Sequence, residues 1–155
     1  MAHARKQIRD AAAAAVTGLA TTGGNVFVGR ATRVPASELP ALLVYTARGE
    51  EGGEESELIN MSMGAGKTLQ RLVRLAIEGV VALPAGGAVD DGLDQIAAEV
   101  EAARGGNKLG GLVKAVELQG SEIGLEGEGD KLRGYIRMTW AYLYHTAEDA
   151  PEVAL

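Results

Sequence analysis

Polar and apolar positions alternate with period two near the end of the chain. Ile136, Met138, Trp140, Tyr142 and Tyr144 share one face, while Arg137, Thr139 and His145 fall on the other. Alternation of this length predicts a strand with one buried face. The only tryptophan and three of the four tyrosines lie between Leu112 and Thr146, so most of the large ring surface available to a core is here. Upstream, Val116-Glu117-Leu118 and Ile123-Gly124-Leu125 predict a partner strand. Its phase breaks around Gly120-Ser121, as at a bulge or bend. The acidic turn Gly127-Glu128-Gly129-Asp130 joins the two strands.

The remaining elements follow the same logic. Ile8, Ala12, Ala15, Val16 and Leu19 recur at three- and four-residue spacing and predict a helix over Ala4 to Ala20. Arg5, Lys6 and Arg9 lie mostly off that stripe, on a basic face that is either solvated or a contact for an acidic neighbouring subunit. Val26-Phe27-Val28 reads as a short strand. The apolar run Ala41 to Ala47, between Pro40 and Gly49, reads as a strand buried on both faces. Residues Leu69 to Leu83 form another, with Val73, Leu75, Ile77 and Val81 in phase and Arg71, Arg74 and Glu78 polar. A second helix begins near Asp90 as N-cap, carries the stripe Leu93, Ile96, Ala97, Val100 and Ala103, and stops at Gly105-Gly106.

These elements predict one α+β domain over residues 1–146. Its sheet is mostly antiparallel or mixed, of about four to five strands, with two helices on one face. Residues 147–155 read as a frayed acidic tail. Arg48 to Thr68 has no clear period and reads as a long loop, well beyond the usual ~4–6 residues. It carries Glu50, Glu51, Glu54, Glu55 and Glu57 with no neighbouring base. The loop is either solvated or a negatively charged projection that meets a partner or lines an aqueous channel.

Charge and composition narrow the function. The 155 residues carry a net charge of −6, which argues against holding nucleic acid by phosphate neutralisation. No cysteine is present, so disulfides and thiolate chemistry are excluded. No apolar run approaches the roughly 18–20 residues that span a bilayer, so no membrane role is expected.

The motifs are few. Gly64-Ala65-Gly66-Lys67-Thr68 ends like a phosphate loop, but Met61 stands where its first glycine belongs and a strand follows instead of a helix. His145 has no serine or acid at recognisable spacing. The glutamates of the long loop lack the Asp/Asn framework of an oxygen cage. Neither a cofactor nor a metal is expected, and catalysis is not.

Several phrases in order carry a resemblance. They are the opening Arg5-Lys6-Gln7-Ile8-Arg9-Asp10 helix, Val26 to Arg30, Leu39 to Thr46 and Leu75 to Gly79. The Asp90 to Glu101 helix follows, then Leu118 to Gly129 with the aromatic strand. Together they resemble the phage tail terminator family, the lambda-type minor tail protein U group, over nearly the whole chain. The resemblance implies a virion protein without catalysis or cofactor, assembled in the host cytoplasm as a homohexameric ring at the head-proximal end of the tail. Such a ring stops polymerisation of tail tube protein and offers the surface that meets the head–tail connector or neck protein. DNA passes through it without specific binding.

On that view Arg5, Arg9, Glu50, Glu51, Glu54, Glu55, Glu57, Lys67, Glu126, Glu128, Asp130 and Arg137 are candidates for subunit or lumen contacts. Another neck or head-completion protein is the alternative. A small hydrolase or nucleotide-binding domain would rest only on Gly66-Lys67-Thr68 and His145.

Overall fold

The computed structural model describes residues 1–30, 33–60, 66–83, 88–127 and 132–155. In chain order these form α1 (Ala4–Ala15), β1 (Val26–Val28), β2 (Ala41–Thr46), β3 (Glu54–Asn60) and β4 (Thr68–Ala82). They continue with α2 (Val89–Arg104), β5 (Ala115–Glu126) and β6 (Arg133–Ala147). One sheet holds all six strands in the order β1-β2-β4-β6-β5, with β3 also on β4. Only β1 and β2 are parallel; the other pairs are antiparallel. The fold is α+β with two helices against the sheet, as the pattern predicts.

The sixth strand is the departure. β3 lies within the stretch expected to be a loop, and it pairs with the Thr68–Val73 half of β4 while β2 pairs with the Leu75–Val80 half. Its inward position is Glu54, an acid, so the hydrophobic alternation that marks a strand is missing. The missing bases come from β4: Arg71 reaches Glu54 at 3.0 Å and Arg74 reaches Glu55 at 3.6 Å.

β6 carries the core. Ile136, Met138, Trp140, Tyr142 and Tyr144 are all buried on the face beneath the helices. They pack with Val73, Leu75 and Ile77 of β4, Leu42 and Val44 of β2, Ile8 and Val16 of the α1 segment, and Leu93, Ile96 and Val100 of α2. Burying each large aliphatic side chain contributes about 1.5–3 kcal/mol. α2 comes down closely over β4, where a Cβ on Gly79 would lie 2.7 Å from Ile96 Cγ2. The two halves of the predicted partner strand are one strand, β5, with a register shift between Leu118 and Gly120 where the phase breaks.

Two boundaries differ from expectation. α1 ends at Ala15, with Val16 as C-cap, rather than at Ala20. The chain turns there through Gly18, whose φ of 87° suits glycine, and Gly23 and Leu19 form a bridge. Asp90 lies inside the first turn of α2, whose N-cap is Ala88; with Asp91 it still places negative charge at the positive end of the helix dipole.

The last nine residues are docked rather than frayed. The Pro151 carbonyl accepts from Ala4 N at 2.8 Å and Leu155 N donates to the His145 carbonyl at 2.8 Å. Gln7 Nε2 donates to the Glu152 carbonyl at 2.7 Å. The first amides of a helix lack intrahelical acceptors, and the chain end supplies one. His3 Nδ1 supplies another, accepting from Arg5 N at 3.0 Å; burial and the Arg5 charge lower the pKa of this histidine, favouring its accepting, neutral form.

Candidate interface surfaces

The helices cover one face of the sheet and leave the other open. Alternation puts Tyr135, Arg137 and Thr139 of β6 on the open face, level with Val80, Glu78 and Ala76 of β4. Leu43 and Tyr45 of β2 and Glu122 of β5 complete its centre. The face is cupped and forms a basin of about 1330 Å³. Six arginines line it: Arg30, Arg33, Arg48, Arg74, Arg133 and Arg137. Glu50, Glu55, Glu78, Glu122 and Glu126 oppose them, so formal charge nearly balances there within a chain of net charge −6.

Arg137 organises the middle of the basin. Its Nε donates to Glu78 at 2.9 Å and to the Tyr45 hydroxyl at 3.0 Å, and its Nη1 donates to Glu122 at 3.0 Å. One guanidinium thus ties β2, β4 and β5 to β6, a task suited to its planar fork of donors. Burial works against the Arg137 charge, but Tyr45 and Glu78 outweigh it and hold its pKa above the ordinary arginine value. Tyr45 moves up as well, through burial and then the neighbouring Glu78 charge.

A second network lies behind the sheet, between α1 and β3. Glu54, its side chain 8% exposed, pairs with Arg5 at 3.1 Å and with Arg71 at 3.0 Å. It also accepts from the Tyr144 hydroxyl. Burial first, then the Glu54 hydrogen bond, pushes the Tyr144 phenol up. Arg104 is fully buried at the end of α2, donating to the Tyr142 hydroxyl at 3.1 Å and to the Asn107 carbonyl at 2.9 Å. Arg133 is 7% exposed and donates to the Val34 carbonyl at 2.7 Å.

The candidate contact residues therefore divide. Arg5 and Glu54 meet each other in a clamp, which removes Glu54 from the outer surface, since a carboxylate so buried has its acceptors filled from within, while the Arg5 side chain stays 38% exposed. Arg9 is half-buried and donates to Thr46 Oγ1 at 3.1 Å. Arg137 and Glu126 do reach the open basin, at its centre and rim, and Glu50 and Glu55 line its opposite side. Glu51 falls in the short turn Gly49–Glu51. Glu57 is exposed on β3. Lys67 lies 4.0 Å from Glu148 and is half-exposed. Glu128 and Asp130 lie outside the described residues.

Glu78, Tyr45, Glu122 and Arg71 are the functional-surface and clamp residues that the sequence did not single out as contacts. Glu78 and Arg71 were visible only as polar positions in a strand. Nothing local shows that Glu78 faces Arg137, because that pairing spans a helix and a further strand.

Gly66-Lys67-Thr68 runs directly into β4 rather than a helix, and Gly64 and Ala65 lie outside the described residues. His145 Nε2 faces Gln70 Oε1 at 3.4 Å. Among the described residues, no three His, Cys, Asp or Glu side chains are grouped to hold a metal, and no helix is long and apolar enough to cross a membrane. No family model matches the sequence, and comparison with curated proteins yields no match.

Proposed function

We propose that this chain is a phage tail terminator, a ring-forming structural subunit that caps a finished tail tube and presents the surface joined by the head. The reading starts from the ordered resemblance described above. One structural observation supports it most: among the described residues, the helix-clad sheet has unpaired strand sides at both lateral limits, β1 and β3 on one side and β5 on the other. A subunit with two different exposed edges is suited to head-to-tail contacts, which close into rings when the rotation allows.

The open basin is the surface on offer to the tube or the neck. Its near balance of arginine and glutamate is compatible with DNA passing without capture, because phosphate affinity requires an excess of cationic groups. A second neck-type role, completing the head, shares these features and is separated by phenotype. Light scattering on purified protein, alone and with tail tube protein from the same source, tests the proposal. Assembly into a discrete ring, or binding to tube ends with arrest of elongation, is expected. Loss of the gene then gives overlong or headless tails. A monomer that never binds tube ends overturns the reading, and mutants whose filled heads leak DNA favour the head-completion role.

A further inference from the structure

The sheet contains a transverse row that crosses five strands: Phe27, Leu43, Glu78, Arg137 and Glu122 stand side by side on β1, β2, β4, β6 and β5. The row places β1 level with the far half of β5, at the same end of the sheet. Beyond Phe27 and beyond Glu122 no described strand continues it. Three antiparallel steps separate β2 from β5, and β1 is parallel to β2, so β1 and β5 run in opposite directions. A second copy shifted along this row would bring its β1 antiparallel to β5 of the first.

The two edges match on both faces. On the helix side, Ile123 and Leu125 pair with Ile136 and Gly134 yet are 53% and 58% exposed. Val28, on the same side through its pairing with Val44, is 42% exposed. On the open side, β5 ends in Glu122 and Glu126, whereas the β1 edge carries Arg30, which stacks over the Phe27 ring at 4.7 Å and bonds Glu38 at 3.4 Å.

The competing edge is β3, which shares the β1 side of the sheet. It presents Glu55 and Glu57, and like charges set against Glu117 and Glu122 would disfavour pairing. β5 also lacks the lysine or proline that usually protects a long edge strand, and its twelve residues include two large exposed apolar side chains.

We propose that copies of this chain associate head to tail, β5 of one subunit adding as an antiparallel strand to β1 of the next. The inference deepens the ring reading and rests on it for closure of the chain of contacts. Backbone hydrogen bonds would give affinity, Ile123 and Leu125 against Val28 an apolar seal, and Glu122 and Glu126 against the Arg30 end of β1 the choice of edge. The contact is heterologous, so each subunit retains one free edge until the ring closes.

The chain has no cysteine, which makes cross-linking direct. Val28→Cys is combined in turn with Ser121→Cys, Ile123→Cys or Leu125→Cys, covering three registers on one face, and purified protein is oxidised over a concentration series. A ladder of covalent multimers is expected from one double variant and from no single variant. Dimers from Ile123→Cys alone would indicate a two-fold contact and overturn the proposal. Assembled protein with no ladder in any pair overturns it too, while leaving the terminator reading standing. A ladder from protein that ignores tube ends supports this contact and removes the terminator reading; persistent monomer, alone and with tube ends, overturns this contact, and the terminator reading falls with it only if that monomer also fails to bind tube ends. As an independent measure, Ile123→Asp is expected to lower the assembled fraction at least tenfold with an unchanged circular dichroism spectrum. Full assembly of that variant counts against the contact.

Discussion

Glu78 and Arg137 stand opposite one another on β4 and β6, and both Nε and Nη2 of the arginine reach the same carboxylate oxygen at 2.9 Å. Glu78 is 9% exposed, so the arginine satisfies a carboxylate that water barely reaches. Arg137→Ala is expected to cost about 1–3 kcal/mol, the typical penalty of orphaning a buried polar group. Arg137→Lys keeps the charge but not the fork that also holds Tyr45 and Glu122, and should recover only part of the loss. Replacing both partners, Arg137→Met with Glu78→Leu, should restore more stability than either single change. Urea denaturation of these variants and of the two single changes decides the order.

Glu54 is the corresponding point behind the sheet, shared by Arg5, Arg71 and Tyr144. Glu54→Gln retains shape but removes the charge that two guanidinium groups face. A loss of roughly 2–4 kcal/mol is expected, since breaking a buried pair strands its partner. Hydrogen exchange should quicken first in β3, which this clamp ties to α1 and β4. Unchanged exchange in β3 would show that the clamp does not hold the strand.

Alkaline pH should destabilise the fold. Burial raises the phenol pKa of Tyr45, Tyr142 and Tyr144. In the unfolded chain these groups ionise near ~10. Below that value both states keep their protons and stability is full. As pH rises through it, the unfolded chain releases protons that the folded one retains, so stability falls toward the raised folded values. Tm measured from pH 8 to pH 11 should drop, and the drop should shrink in Tyr144→Phe. A flat profile would contradict the burial of these hydroxyls.

Gly79 is required by close approach rather than by backbone geometry. A Cβ there would meet Ile96 at 2.7 Å and Ile136 at 3.3 Å. Gly79→Val should therefore lose about 1–3 kcal/mol through overpacking. Truncating Ile96 to alanine in the same chain should relieve part of the strain, which thermal denaturation of the double variant can read.

The aromatic alternation of β6 was legible because a strand with one buried face writes its period into the sequence. α1, α2, β2 and β4 were legible for related reasons, since their apolar positions repeat locally or run together. β3 was not, because an acid takes its inward position and its countercharge, Arg71, lies seventeen residues on. The tail was misread for a similar cause: residues 147–155 show no period, and what holds them is the unsatisfied start of α1 and the end of β6.

The sequence by itself determined the class of fold, the strand that carries the core, the bulge in β5 and the absence of cysteine chemistry. These follow from local spacing and composition. Only the tertiary structure decided which charges are spent inside and which face outward. Glu54 left the surface for a clamp with Arg5 and Arg71, while Glu78, Arg137 and Glu122 joined Phe27 and Leu43 in one row across five strands. Register between distant strands sets such neighbours, and it arises from the packing of the whole sheet rather than from any one segment.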